Sequence, residues 1–273
     1  YLISAKVDGL YITGSTGETF LMSQEEKKQA IEIIVEEVNG RVPVIAHIGS
    51  IGTKITTELG QYAEKIGVDA LSALPPFYYG FSNDEIFNYY QDISNSTNLP
   101  ITVYNISHAH LMDLDMLKRL ASIKNVKGVK YTAPTHFNFS KIKKEIGINF
   151  KIYSGMDEMS LSGLISGADG IIGSFYNLMP ELFVDIYAKI KEENINEAKK
   201  IQEKINIIIM YALSKSGYPF IKMGLNWLDV DSGYVRKPFT TFVDKEIESI
   251  IKKDLKKLAD QNDLSGIKFL EKL

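Results

Sequence analysis

The sequence predicts an α/β fold, a (β/α)8 TIM barrel followed by a C-terminal helical extension, and three observations carry that expectation. First, seven short apolar runs are each followed by a loop and then by a segment of helical periodicity. The runs are apolar on both faces, as strands of a parallel sheet covered by helices must be. Second, an open sheet would also fit such runs, but they recur every ~25 to 35 residues without a change in connection length, which favours a closed barrel. Third, after Glu192 the strand signals stop and only helical periodicity remains. The expected organisation is therefore a barrel over 1–193 and a helical extension over 194–273 packed on it.

Taken in order, Gly9 to Thr13 (G-L-Y-I-T) reads as a strand that ends in the loop Gly14-Ser15-Thr16-Gly17-Glu18. Ser23 followed by Glu26 forms a capping box, Ala30, Ile31, Ile33, Ile34, Val35 and Val38 recur at helical spacing, and Gly40 closes the helix. Pro43 to Ile48, Asp69 to Leu74 and Pro100 to Asn105 repeat the strand signal, with helices expected near 53–66, 83–96 and 113–123. Val126 to Tyr131 follows, stopped by Pro134, with a helix near 139–146. Phe150 to Ser154 and Gly170 to Gly173 complete the seven, with helices near 157–166 and 180–192. Asn196 to Ser214, Phe220 to Leu228 and Val243 to Ala259 read as three further helices around the Arg236-Lys237-Pro238 turn.

The chain ends carry a separate expectation. Tyr1 to Val7 reads as the end of a helix, and Asp263 to Leu273 as its beginning, because Ile267, Leu270, Leu273, Leu2 and Ile3 would continue one apolar stripe. An ordinary trailing helix fits the same residues, and both readings stay open.

Composition narrows the function classes. A net charge of -3 in 273 residues gives no general attraction to nucleic acid or to an anionic membrane, so the expected partner is a small molecule. No cysteine is present, which excludes a disulfide, a thiolate nucleophile and a cysteine-ligated metal. No apolar run approaches the ~18 residues of a membrane span, and no signal-peptide pattern is visible. A cytoplasmic protein is expected.

Lys130 is the candidate catalytic residue. It lies near the end of an apolar strand, where a lysine either snorkels its ammonium to solvent or serves as an amine nucleophile. Imine chemistry requires a free amine at neutral pH, and burial favours that form. If the strands close a barrel, Ser15, Thr16, Tyr104, Thr132, Gly155, Asp157, Glu158 and Ser174 share its mouth with Lys130. Such a set suits carbonyl chemistry: hydroxyls and N–H groups of a glycine-containing turn can hold a carboxylate, and a phenol can move protons beside an imine. The pair His108 and His110 lacks a third ligand and reads as an exposed loop, so no metal is expected.

The motifs G-S-T-G-E at 14–18, Y-N at 104–105, G-V-K-Y-T at 128–132, S-G-M-D-E at 154–158 and G-S-F-Y-N at 173–177 resemble, in order and spacing, those of the pyruvate-dependent class I aldolases. Among these the resemblance is greatest to the N-acetylneuraminate lyases, and it covers nearly the whole chain. It implies that Ser15 and Thr16 bind the pyruvyl carboxylate, that Lys130 forms a Schiff base and that Tyr104 relays protons. It also implies that Thr132, Gly155, Asp157, Glu158 and Ser174 hold a hydroxyl-rich sugar tail. The substrates would be sialic acid, pyruvate and N-acetylmannosamine, with no cofactor. A homotetramer is implied too, with Tyr78 near a subunit contact and the site.

Two departures from the family accompany the match. Ile106 to His110 replaces a proline and a Thr-Gly or Ser-Gly turn and is about two residues short, and the family's first strand, ending in Thr-Pro-Phe, is not found. The first strand is therefore absent or the chain ends are rearranged. Dihydrodipicolinate synthases, the alternative within the family, place a carboxylate-binding arginine where this chain has Ala109. A non-catalytic barrel that binds a keto acid or sugar is the alternative outside it.

Overall fold

The computed structural model describes residues 1–241 and 244–273. All seven expected strands form: β1 (Leu10–Ile12), β2 (Val44–His47), β3 (Ala70–Ala73), β4 (Ile101–Ile106), β5 (Val126–Thr132), β6 (Lys151–Ser154) and β7 (Gly170–Ile171). Each pairs in parallel with the next, so the sheet order is the chain order. Between them run α1 (Gln24–Val38), α2 (Thr53–Ile66), α3 (Asn83–Ser96), α4 (Leu114–Ala121), α5 (Asn138–Glu145) and α6 (Ser160–Ile165). Parallel strands in chain order, alternating with helices, make a TIM-barrel-like α/β fold.

Local chemistry explains the elements. The capping box at α1 is reciprocal: Ser23 N–H donates to Glu26 Oε2 at 2.8 Å and Glu26 N–H donates to Ser23 Oγ at 3.2 Å. Val126, Val129 and Tyr131 are buried, and each fully buried side chain of this size contributes about 1.5–3 kcal/mol. Gly128 permits the close approach of β6, since a Cβ there would lie 2.7 Å from Lys151 O.

Two compact units describe the chain. One, Asp8–Met156 with Ser162–Ile172, contains the whole sheet. The other comprises Tyr1–Val7, Asp157–Leu161 and Gly173–Leu273, with helices α7 (Pro180–Lys191), α8 (Ile195–Ser214), α9 (Gly217–Trp227) and α10 (Lys245–Asn262). Helix α7, which a division at residue 193 groups with the strands, belongs to this second unit and packs along α8. The aromatic centre of the second unit joins Trp227 of α9 and Phe269, stacked at 6.4 Å, while Trp227 Nε1–H donates to Glu248 of α10 at 2.8 Å. The last helix begins at Lys245; Val243, its expected start, lies outside the described residues.

The chain ends depart from expectation. Tyr1–Val7 is a set of hydrogen-bonded turns with Lys6 at φ 65, and the far end has turns and one 3-10 segment, Leu270–Lys272. The reason is local: Asp263 (φ 46) and Gly266 (φ 80) leave the right-handed helical region. Of the expected stripe only Ile267 is buried, joined by Phe269 from outside it, while Lys268 N–H donates to Glu181 of α7 at 3.0 Å. No continuous helix forms at either end.

Candidate active site

The register places Tyr104 of β4 opposite Lys130 of β5, and residues paired across parallel strands project from the same face of the sheet. Lys130 is buried, and its Nζ lies 4.2 Å from the centroid of the Tyr104 ring and 4.4 Å from that of Tyr11. The amine is therefore walled by two aromatic faces. Among the described residues no carboxylate forms an ion pair with it.

The neighbouring strand end completes this wall. A Cβ on Gly155, just beyond β6, would overlap Thr132 Oγ1 and lie 3.4 Å from Lys130 Cε. Only glycine lets the chain pass here. The turn after β1 is held by Glu18 N–H donating to Ser15 O at 3.0 Å, and a Cβ on Gly14 would lie 2.6 Å from Tyr11 Cε1. The loop of Ser15 and Thr16 thus packs directly on the tyrosine that faces Lys130.

Two residues not singled out from the sequence complete the centre. Tyr11 donates from its hydroxyl to Ser72 Oγ at 2.9 Å, and burial, with Tyr104 beside it, raises its phenol well above the ordinary range. His47, at the end of β2, is fully buried. Its Nδ1 lies 3.2 Å from Thr13 O, and Leu74 N–H donates to Nε2 at 3.4 Å. Burial, then the charges of Lys130 and Lys27, push this imidazole down to about 3 against the opposing bond to Thr13, so it is neutral. A polar ring closing an apolar strand, like the lysine of β5, was the signal that could have found it.

The other expected site residues have surroundings of their own. Tyr78 is 85% exposed at φ 80 on the loop after β3, edge-on to Tyr79 at 5.0 Å. Asp157, Glu158 and Ser174 belong to the second unit. There Asp157 is buried and its Oδ2 accepts from Phe175 N–H at 2.6 Å, so its carboxylate holds the segment that carries Ser174. Glu158 is exposed. Gln202 of α8 anchors the stretch, donating to Asp157 O at 3.2 Å and accepting from Leu161 N–H at 2.9 Å.

The unusual loop after β4 is closed by Asn105, whose buried side chain donates to Met112 O at 3.0 Å and accepts from Met112 N–H at 2.8 Å. His108 and His110 are exposed on it. Among the described residues no group of three His, Asp or Glu side chains is placed to hold a metal, and no helix is long and apolar enough to cross a membrane.

Residues 1–258 match the model of the dihydrodipicolinate synthetase family. The chain belongs to that family. Solved structures similar to this family member include an N-acetylneuraminate lyase from Fusobacterium nucleatum, at 38% identity and TM-score 0.87, covering 96% of this chain and 89% of that one. CdNal from Clostridium difficile, solved in complex with mannosamine, shows 36% identity and TM-score 0.89 over 93% of this chain and 88% of its own. A dihydrodipicolinate synthase shows 30% identity and TM-score 0.85 over 94% and 90%. The resemblance carried by the five motifs is thereby borne out for the family as a whole.

Proposed function

We propose that this protein is a Schiff-base aldolase that cleaves N-acetylneuraminate reversibly to pyruvate and N-acetylmannosamine. The observation that carries the reading is a buried lysine at a strand end, without a carboxylate partner and enclosed by two phenol rings. A lysine kept only for stability would be expected to meet an acid or to reach solvent. An amine held this way suits attack on a carbonyl.

In the reaction, the Lys130 amine adds to the C2 ketone of the open-chain sugar acid and water leaves, forming an imine. The imine draws in the electron pair of the C3–C4 bond as the C4 hydroxyl gives up its proton. Tyr104 carries that proton, C3 of the resulting enamine is then protonated, and hydrolysis frees pyruvate. Ser15 and Thr16 hold the carboxylate end, with Tyr78 supplied near a subunit contact of a homotetramer. Thr132, Gly155, Glu158 and Ser174 receive the hydroxyl-rich tail, and Asp157 fixes the segment that presents Ser174. The same reading takes the seven strands as part of a closed eight-stranded barrel in a cytoplasmic enzyme that needs no cofactor.

The choice of aldehyde rests on Ala109. It packs with Leu74 and Tyr104 in a buried apolar cluster, so the clamp for a second carboxylate is missing from this position, while Glu158 would repel such a group. Release of pyruvate from N-acetylneuraminate, followed with a coupled dehydrogenase, tests the reading. Efficient condensation of pyruvate with aspartate semialdehyde, without cleavage of N-acetylneuraminate, would transfer the assignment to the synthase reaction.

A further inference from the structure

We propose that His47 is a positioning residue for the proton-moving step, its ring holding the Tyr104 phenol in place against the Lys130 amine. The inference rests on the aldolase reading above and assigns a role to a residue that takes no part in the chemistry itself. Tyr104 poses the problem. Its ring is buried, yet among the described residues its hydroxyl makes no hydrogen bond, unlike that of Tyr11, which is fixed on Ser72. Packing alone therefore sets the direction of the Tyr104 phenol.

The imidazole supplies the aromatic part of that packing, beside the apolar cluster of Leu74 and Ala109. His47 meets Tyr104 edge to face, with centroids 6.0 Å apart and planes at 89°. Tyr11 closes the group, 6.2 Å from each of the other two rings. The Lys130 amine sits over both phenols, so His47 and Tyr11 flank Tyr104 on the side of the reacting amine, while Leu74 and Ala109 also pack with it.

His47 is itself immobilised. Thr13 Oγ1–H donates to His47 O at 2.8 Å, the imidazole bonds Thr13 O through Nδ1, and Leu74 N–H donates to Nε2. These contacts tie together the ends of β1, β2 and β3. Because Nε2 accepts a hydrogen bond, the proton resides on Nδ1, and the neutral ring adds no second positive charge beside Lys130.

Exchange of the pyruvate methyl protons in D2O tests this, because it requires the imine and proton movement at C3 but no aldehyde. Exchange is followed by proton NMR and divided by the number of sites that pyruvate and borohydride label, so that misfolded protein does not count. His47→Ala should still form the adduct, with exchange per labelled site reduced about tenfold or more through loss of orientation. His47→Phe, which keeps a ring but neither hydrogen bond, should remain within about threefold of the unmodified rate even though its melting temperature falls. If His47→Ala does not fold, His47→Leu takes its place with the same expectation. Equal exchange per labelled site in the Ala or Leu variant, or an equal loss in His47→Phe, overturns the proposal while leaving the aldolase reading intact. Failure of the unmodified protein to form any adduct overturns both.

Discussion

Tyr104 and Lys130 face each other across one register step, and substitution should separate their roles. Tyr104→Phe keeps the ring that walls the amine but removes the proton carrier, so pyruvate adduct should still form while turnover falls by roughly 10²-fold or more. Full turnover in this variant, measured by pyruvate release, would remove Tyr104 from the mechanism. His47 makes a separate prediction about stability. Its folded pKa of about 3 lies below that of an unfolded histidine, so the unfolded chain binds the proton first. The stability contributed by its neutral state is therefore complete above pH ~6.5 and is lost as the pH falls toward ~3, with about 2 kcal/mol gone by pH 5. Urea unfolding at pH 7 and pH 5 should show the unmodified protein losing about that much more than His47→Phe; equal losses would mean that the imidazole titrates normally.

At the scale of elements, the segment after β6 carries two predictions. Gly155→Ala would drive a methyl group into Thr132 Oγ1 and crowd Lys130 Cε, so labelling by pyruvate and borohydride should slow by about tenfold or more with the circular dichroism spectrum unchanged. Unaltered labelling would show that the strand end yields without consequence. Asp157 and Glu158 are adjacent in sequence but differ in structure. Asp157→Asn weakens a charge-assisted bond to Phe175 N–H and should cost about 1.5–3 kcal/mol of stability. Glu158→Gln, at an exposed residue, should leave stability within about 0.5 kcal/mol yet lower kcat/KM for N-acetylneuraminate about tenfold to a hundredfold. Denaturant unfolding and steady-state kinetics on both variants check the division, and a reversed pattern would refute it. The strands themselves were legible because each is apolar on both faces, and Lys130 stood out as a charge within such a run. Tyr11 and His47 were not, since a single aromatic or imidazole in an apolar strand reads as core. Only the register of β1 to β5 brings them to the lysine. The helical stripe at Asp263 to Leu273 misled because apolar spacing takes no account of the backbone reversal at Gly266.

For the molecule as a whole, membership of the family was visible in motifs distributed from Gly14 to Asn177 and the TIM-barrel-like sheet in the recurring apolar runs, whereas grouping of Tyr1–Val7 and Asp157–Leu161 with the C-terminal helices was not. Such grouping depends on long-range bonds like those of Gln202, which leave no local pattern. One lysine among the many on this acidic chain must form an imine if the proposed reaction is right, and reduction in the presence of pyruvate decides whether it does. Borohydride added with pyruvate should inactivate the protein and add about 72 Da, the mass of a reduced pyruvyl group, to the peptide containing Lys130. Lys130→Ala should show neither the adduct nor turnover. Labelling at a different lysine, or full turnover in Lys130→Ala, would exclude Lys130 as the imine-forming residue.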